Sequence, residues 1–247
     1  MICNAPTVNL YKKKSQKSEV VSQMLYGEKF KILKKFNEWL KVKTYYDGYI
    51  GFIKNENYED NYFPTHKISK LKSIIFTFKD NKFISCKKAL PFGSRIKIIS
   101  KKKYYVKFSK NEWIKKRDIK LMSHYIKPLK IFKLFLGTKY LWGGKSFEGI
   151  DCSALIQSFY FYNNIYCPRD SVDQINFFRN VSTFKNYDKD QLIFWKGHVA
   201  YIIDKKSLIH AFGPKKKVVI MRTNKTIFEI KKNSKLNIKA IKKINVI

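Results

Sequence analysis

The sequence predicts an α+β chain: two small all-β barrels over residues 1–62 and 65–122, then a domain over 123–247 in which helices precede an antiparallel sheet. Three observations lead there. The first half is filled by short stretches of alternating apolar and polar residues separated by turn signals. Near Ser123 the apolar spacing becomes helical. From Gln191 onward, strand-like runs return. With 247 residues, 45% of them hydrophobic and 16% aromatic, the chain can bury several small cores.

In chain order, alternation predicts strands at 20–25, 29–34, 39–44 and 49–53, with Tyr26-Gly27-Glu28, Asn37-Glu38 and Asp47-Gly48 as turns. A weaker repeat predicts strands at 74–78, 82–86, 94–100, 104–108 and 113–116. In it, Ala89-Leu90-Pro91-Phe92-Gly93 stands where Met24-Leu25-Tyr26-Gly27 stands in the first block. Two barrels of roughly 60 residues fit this spacing, with Tyr62-Phe63-Pro64-Thr65 as the linker. A helix is expected over 126–136, closed by Gly137-Thr138, and a second begins at Cys152. A third is expected over 171–178, capped by Asp170 or Ser171. Strands follow at 191–195, 198–203, 207–212, 217–222 and 236–241.

The net charge is +34, yet only five of the 52 basic residues are arginine, and the lysines run along the whole length. A nucleic-acid binder calls for lysines gathered with exposed aromatics on one face. The dispersed pattern instead reads as a solvated surface, and nucleic acid is not expected as a partner. The four cysteines include no Cys-x-x-Cys and the four histidines no His-Glu-x-x-His, so neither a disulfide framework nor a metal or other cofactor is expected. The first ten residues do not read as a signal peptide, and no apolar run approaches a membrane span. The expectation is a cytoplasmic protein without a membrane partner.

The segment Tyr140-Leu141-Trp142-Gly143-Gly144-Lys145-Ser146-Phe147-Glu148-Gly149-Ile150-Asp151-Cys152-Ser153 runs from a glycine-rich loop into a helix. A thiol at the first turn of a helix faces free N–H groups and the positive end of the dipole, which lowers its pKa. The alternative is a small buried hydrophobe. A nucleophilic thiol needs a base, and the base an orienting group. His198 and His210 lie on successive downstream strands, whereas His66 and His124 fall in expected linkers. If both imidazoles share one face, the intervening loop holds an odd number of residues. Asp204-Lys205-Lys206 satisfies this, pairing 198 with 212 and 200 with 210. His198 then takes the thiol proton and His210 fixes its tautomer.

Tyr140 to Ser153, with Gln191-Leu192-Ile193-Phe194-Trp195, His198-Val199-Ala200 and Leu208-Ile209-His210-Ala211, resembles the NlpC-type family of papain-like cysteine peptidases, which hydrolyse cell-wall peptides. The resemblance implies a papain-like domain with Cys152 as nucleophile, His198 as base and His210 as third polar residue. It also implies that Tyr140 helps the Cys152 N–H hold the oxyanion. Lys189-Asp190-Gln191 departs from the family's usual Gly-Asp at that point. Tyr49-Ile50-Gly51-Phe52-Ile53 resembles the closing strands of a bacterial SH3-like barrel. Two such barrels before an NlpC-type domain resemble the γ-D-glutamyl-L-diamino-acid endopeptidases.

That group cleaves the bond between γ-D-Glu and a diamino acid, meso-diaminopimelate or L-Lys, in murein peptides with a free N-terminal L-Ala. The likeness implies that Asp151, Ser153 and Ser171 bind the substrate amine and carboxylate, with Trp142 also on the substrate-binding side. Glu19 and Tyr49 are the first barrel's contributions, a carboxylate and a phenol facing an ammonium. Asp151 also reads as an N-cap. Cell-wall binding without catalysis, nucleic-acid binding, and acyl transfer by the same Cys–His pair are the alternatives.

Overall fold

The computed structural model describes residues 1–59, 62–181 and 187–244. The chain is α+β and divides into two units. One comprises Met1–Tyr125 with Lys145–Phe147 and Phe161–Ile165; the other comprises Ile126–Gly144, Glu148–Tyr160 and Tyr166–Ile247. The last three positions of the expected 123–247 domain lie outside the described residues.

The first unit is nearly all β. Its five-stranded antiparallel sheet runs in the order Val20–Leu25, Thr7–Tyr11, Ile50–Lys54, Trp39–Thr44, Phe30–Lys35. Alternation puts Leu10, Met24, Phe30, Leu40, Val42 and Ile53 inside, with Cys3 and Tyr58. Gly27 turns the chain at φ +78, and a Cβ there would sit 2.0 Å from the Arg95 carbonyl oxygen, so this turn admits only glycine. A second five-stranded sheet has the order Ser100–Lys102, Tyr105–Lys107, Trp113–Lys115, Lys72–Lys79, Lys82–Pro91. A three-stranded one joins Ile119–Leu121, His66–Ile68 and Arg95–Ile96. Tyr26, Ile68, Ile75, Leu90, Ile96, Val106, Phe108, Ile114 and Ile119 form their core.

In these three sheets, Thr7–Tyr11, His66–Ile68 and Ile119–Leu121 were not expected. Thr7–Tyr11 pairs with Val20–Leu25. His66–Ile68 and Ile119–Leu121 are three residues each, too short for a period to show. His66 therefore begins a strand and is not in a linker. At Lys67 the polar signal misleads: the side chain is 1% exposed, and its ammonium donates to the carbonyls of Met122 and Tyr162.

The second unit packs helices against a six-stranded antiparallel sheet. Its order is Arg179–Asn180, Ala240–Lys243, Gln191–Trp195, His198–Ile202, Ser207–Phe212, Lys217–Arg222. Helix α1, Pro128–Leu134, starts on a proline whose missing N–H costs nothing at a helix start. Helix α2, Cys152–Tyr162, carries no Gly or Pro and buries Ala154, Leu155, Ile156, Phe159 and Tyr160. Helix α3 is Ser171–Phe177, with Asp170 at its N-cap position. Helix α4, Thr223–Ser234, lies where no helix was expected, and the last strand begins at Ala240, not at 236. The buried face of α4 is Thr223, Thr226 and Ile230, so threonine, and not an apolar stripe, holds the helical spacing.

Candidate active site

The hairpin from His198 to Phe212 sets the site. Tyr201 pairs with Ile209 and Ile202 with Leu208, and the Ile203 N–H reaches the Ser207 carbonyl at 2.9 Å. The loop is therefore Asp204-Lys205-Lys206, as its parity requires, and the same register sets Ala200 opposite His210. Both imidazoles stand on one face. His198 Nε2 and His210 Nδ1 are 2.9 Å apart. His210 Nε2 lies 3.4 Å from the Met221 thioether, which can only accept a hydrogen bond. That contact assigns the His210 proton to Nε2 and leaves Nδ1 as acceptor for His198 Nε2–H. His198 Nδ1 is then the unprotonated nitrogen, the state a general base needs.

Cys152 opens α2 and is 4% exposed. Its Sγ donates to the Gly197 carbonyl at 3.9 Å, which brings the thiol beside the residue preceding His198. The expectation of a depressed thiol pKa is corrected here. Burial pushes Cys152 up to about 12, and the Asp151 carboxylate adds to the rise. The N–H groups of Val199 and Ser153 and the Arg169 guanidinium pull only partly the other way. Desolvation of the thiolate outweighs the helix terminus. Burial also lowers His198 to about 4 and holds His210 below the ordinary histidine value, with His198 adding to the latter. Both shifts favour a neutral thiol beside a neutral imidazole.

This has a signed consequence. Unfolded histidine titrates near 6.5, so below that pH the unfolded chain takes up protons at 198 and 210 that the folded chain refuses. Stability contributed by the neutral pair is present above pH 6.5 and is lost as pH falls towards 4. Urea unfolding should show the wild type losing more stability between pH of about 7 and 5 than a His210→Phe variant. Equal losses would refute the neutral, buried assignment.

Asp151 and Ser153 flank the thiol and are joined by Arg169. Asp151 Oδ1 accepts from the Ala154 N–H at 2.8 Å, from Arg169 Nη1 at 3.0 Å and from Ser153 Oγ at 3.2 Å. Its Oδ2 accepts from the Gly143 N–H at 3.0 Å and from Arg169 Nη2 at 2.6 Å. One carboxylate thus caps α2, ties down the glycine-rich loop and pairs bidentately with a buried guanidinium. Arg169 Nη1 also donates to Ser153 Oγ at 2.9 Å. The Gln174 carboxamide donates to the carbonyls of Ser153 at 3.0 Å and Pro168 at 2.9 Å.

Sequence reasoning passed over Arg169 and Gln174. The available signal was an arginine, rare in this chain, just after the apolar Tyr166-Cys167-Pro168. An arginine that folds inward must find a carboxylate.

Tyr140 is half-buried, and the pKa of its hydroxyl is pushed up by burial, then by the Cys152 and Asp151 charges. Ser171, half-buried, begins α3, and Trp142 is 56% exposed. Glu19 and Tyr49 belong to the first unit. Glu19 pairs with Lys12 at 3.2 Å, and Tyr49 packs against the Leu10–Phe30 core. Among the described residues no group of three His, Cys, Asp or Glu side chains is placed to hold a metal ion, and no helix is long and apolar enough to cross a membrane.

Residues 137–235 match the model of the NlpC/P60 family, and residues 6–58 match that of the bacterial SH3 domain. The chain carries an NlpC/P60 domain behind a bacterial SH3 domain. It is similar to a γ-D-glutamyl-L-lysine dipeptidyl-peptidase of Bacillus subtilis, 27% identical over 85% of this chain and 78% of that protein. A dipeptidyl-peptidase 6 of Lysinibacillus sphaericus is 25% identical over 84% of this chain and 85% of its own length. In fold, the chain matches the crystal structure of an NlpC/P60 family protein from Bacillus cereus with a TM-score of 0.77 at 20% identity, over 90% of this chain and 94% of that one. The NlpC/P60 match supports hydrolase chemistry of the peptidase type for residues 137–235. All of the Cys152, His198, His210, Asp151 and Arg169 geometry lies within that span.

Proposed function

We propose that the protein is a cysteine peptidase that hydrolyses the γ-D-Glu–diamino acid bond of murein peptides with a free N-terminal L-Ala. The observation that carries this reading is the hydrogen-bonded His198–His210 pair beside a thiol at the head of a helix. Cys152 Sγ attacks the γ-carbonyl carbon while its proton passes to His198 Nδ1. With both groups neutral at rest, the proton moves as the carbon–sulfur bond forms. The Cys152 N–H and the Tyr140 hydroxyl hold the developing oxyanion. As the carbon–nitrogen bond breaks, His198 returns the proton to the diamino-acid amine. Water, deprotonated by the same nitrogen, then opens the thioester and restores the thiol.

On this reading Asp151 acts mainly through Ser153 and Arg169, its own oxygens being engaged. Ser153, Ser171 and Trp142 face the substrate, and Glu19 and Tyr49 read its amine. The diamino acid is meso-diaminopimelate or L-Lys. The three-part division 1–62, 65–122 and 123–247 goes with this proposal. So does a role in recycling wall peptides in the cytoplasm, because a short peptide with a free amine is what earlier wall degradation leaves.

The test compares L-Ala-γ-D-Glu-meso-diaminopimelate with its N-acetylated form. The free peptide should be cleaved and the acetylated one left intact, because acetylation removes the charge and the donors that a site reading an ammonium requires. Equal rates would refute amine recognition.

A further inference from the structure

In space, the lysines of residues 97–117 are not dispersed. This stretch holds eight lysines and one arginine against a single acid, Glu112. The sheet it helps to build has two faces. Ile75, Val106 and Ile114 point into the core. The opposite face carries a connected group of rings: Phe83 stacks on Tyr105 at 3.8 Å, and Phe76 meets Tyr105 at 5.0 Å. Phe78 and Trp113 pack on Phe83 at 4.8 and 5.4 Å. Cross-strand pairing puts Lys102 and Lys115 on either side of Tyr105. Lys102 Nζ sits 3.6 Å above Phe78, and Lys115 Nζ 5.4 Å from Phe76. The ring faces attract the ammonium groups. Beside them is a cavity of about 410 Å³, lined by Tyr104, Tyr105, Lys115, Lys116 and Arg117. Tyr104 is 73% exposed. Among the described residues the cavity lining holds no carboxylate, and Asp118 lies 3.9 Å from Arg117 at its edge.

We propose that this face of the second barrel is a binding site for single-stranded nucleic acid, with phosphates on Lys102, Lys115 and Lys116 and an unstacked base on Tyr104. The cations select a polyanion. The exposed ring and a cavity of one-nucleotide size favour a polymer with planar, unpaired bases over a duplex, whose bases are already stacked, and over a polyol phosphate, which has none. Lysine, as a point charge without the guanidinium fork, reads no base edge, so binding is independent of sequence. The site is separate from the peptidase reading and does not depend on it.

The measurement is fluorescence anisotropy of the intact protein with labelled oligothymidylate over a salt series. Because any chain of this charge attracts polyanions, the decisive comparison is between two triple variants of equal net charge. K102E/K115E/K116E should lose about tenfold or more in affinity, and its slope of log K against log salt should flatten by about two, three single-strand contacts' worth. The control K225E/K231E/K232E should lose less than about threefold, and Tyr104→Ala should lose about fivefold or more. Equal losses in the two triples, no effect of Tyr104→Ala, or competition by poly(glycerol phosphate) or anionic vesicles as strong as by unlabelled oligothymidylate would each overturn the proposal.

Discussion

Replacing Cys152 by alanine is expected to lower turnover of L-Ala-γ-D-Glu-meso-diaminopimelate by about four orders of magnitude or more, because the residues of a nucleophile–base unit fail together. Folding should survive, since the change removes a single buried sulfur atom and leaves only a small cavity. Unchanged far-ultraviolet circular dichroism and melting temperature alongside lost activity would separate chemistry from stability. Cleavage that persists in the variant would show that another group attacks the carbonyl. A neutral resting thiol adds a detail. Activity should hold at neutral pH and fall only as His198 gains its proton near pH 4, without the acid limb near 6.5 expected of an unperturbed histidine.

The second large effect is on stability. Asp151→Asn leaves the Arg169 guanidinium, 1% exposed, without its counter-charge. Removing one partner of such a buried pair costs about 3–5 kcal/mol, much of it from the stranded charge. Urea denaturation should therefore find Asp151→Asn and Arg169→Met each strongly destabilised. The double variant should be less destabilised than the sum of the two, because it strands no charge. Additive losses would show that the two side chains act independently. The consequence reaches the chemistry, since the same carboxylate holds the Gly143 N–H ahead of the thiol and the Ala154 N–H behind it.

Local rules read much of this molecule. The His198–His210 register is the one expected if both imidazoles share a face, because strand facing has a period of two and the loop proves to hold three residues. The α2 start was legible from a glycine-rich loop followed by apolar residues at helical spacing. What the sequence hid depends on partners distant in the chain. Asp151 and Arg169 are 18 positions apart, and nothing in either segment names the other. Helix α4 carries no clear apolar stripe: Phe228 is 66% exposed, and Thr223 and Thr226 share the buried face with Ile230. The thiol's pKa was misjudged for a related reason. A helix terminus is visible in sequence, but the burial that outweighs it is a tertiary property.

The central claim is that the Cys152 thiol, served by His198, opens the γ-D-glutamyl bond and hands the acyl group to water. Mass spectrometry of the products formed in water enriched in heavy oxygen tests it most directly. The account predicts free diaminopimelate and L-Ala-γ-D-Glu carrying one heavy oxygen in its new γ-carboxyl group. Release of L-Ala alone, an unlabelled dipeptide joined to an added amine, or an intact tripeptide would contradict it.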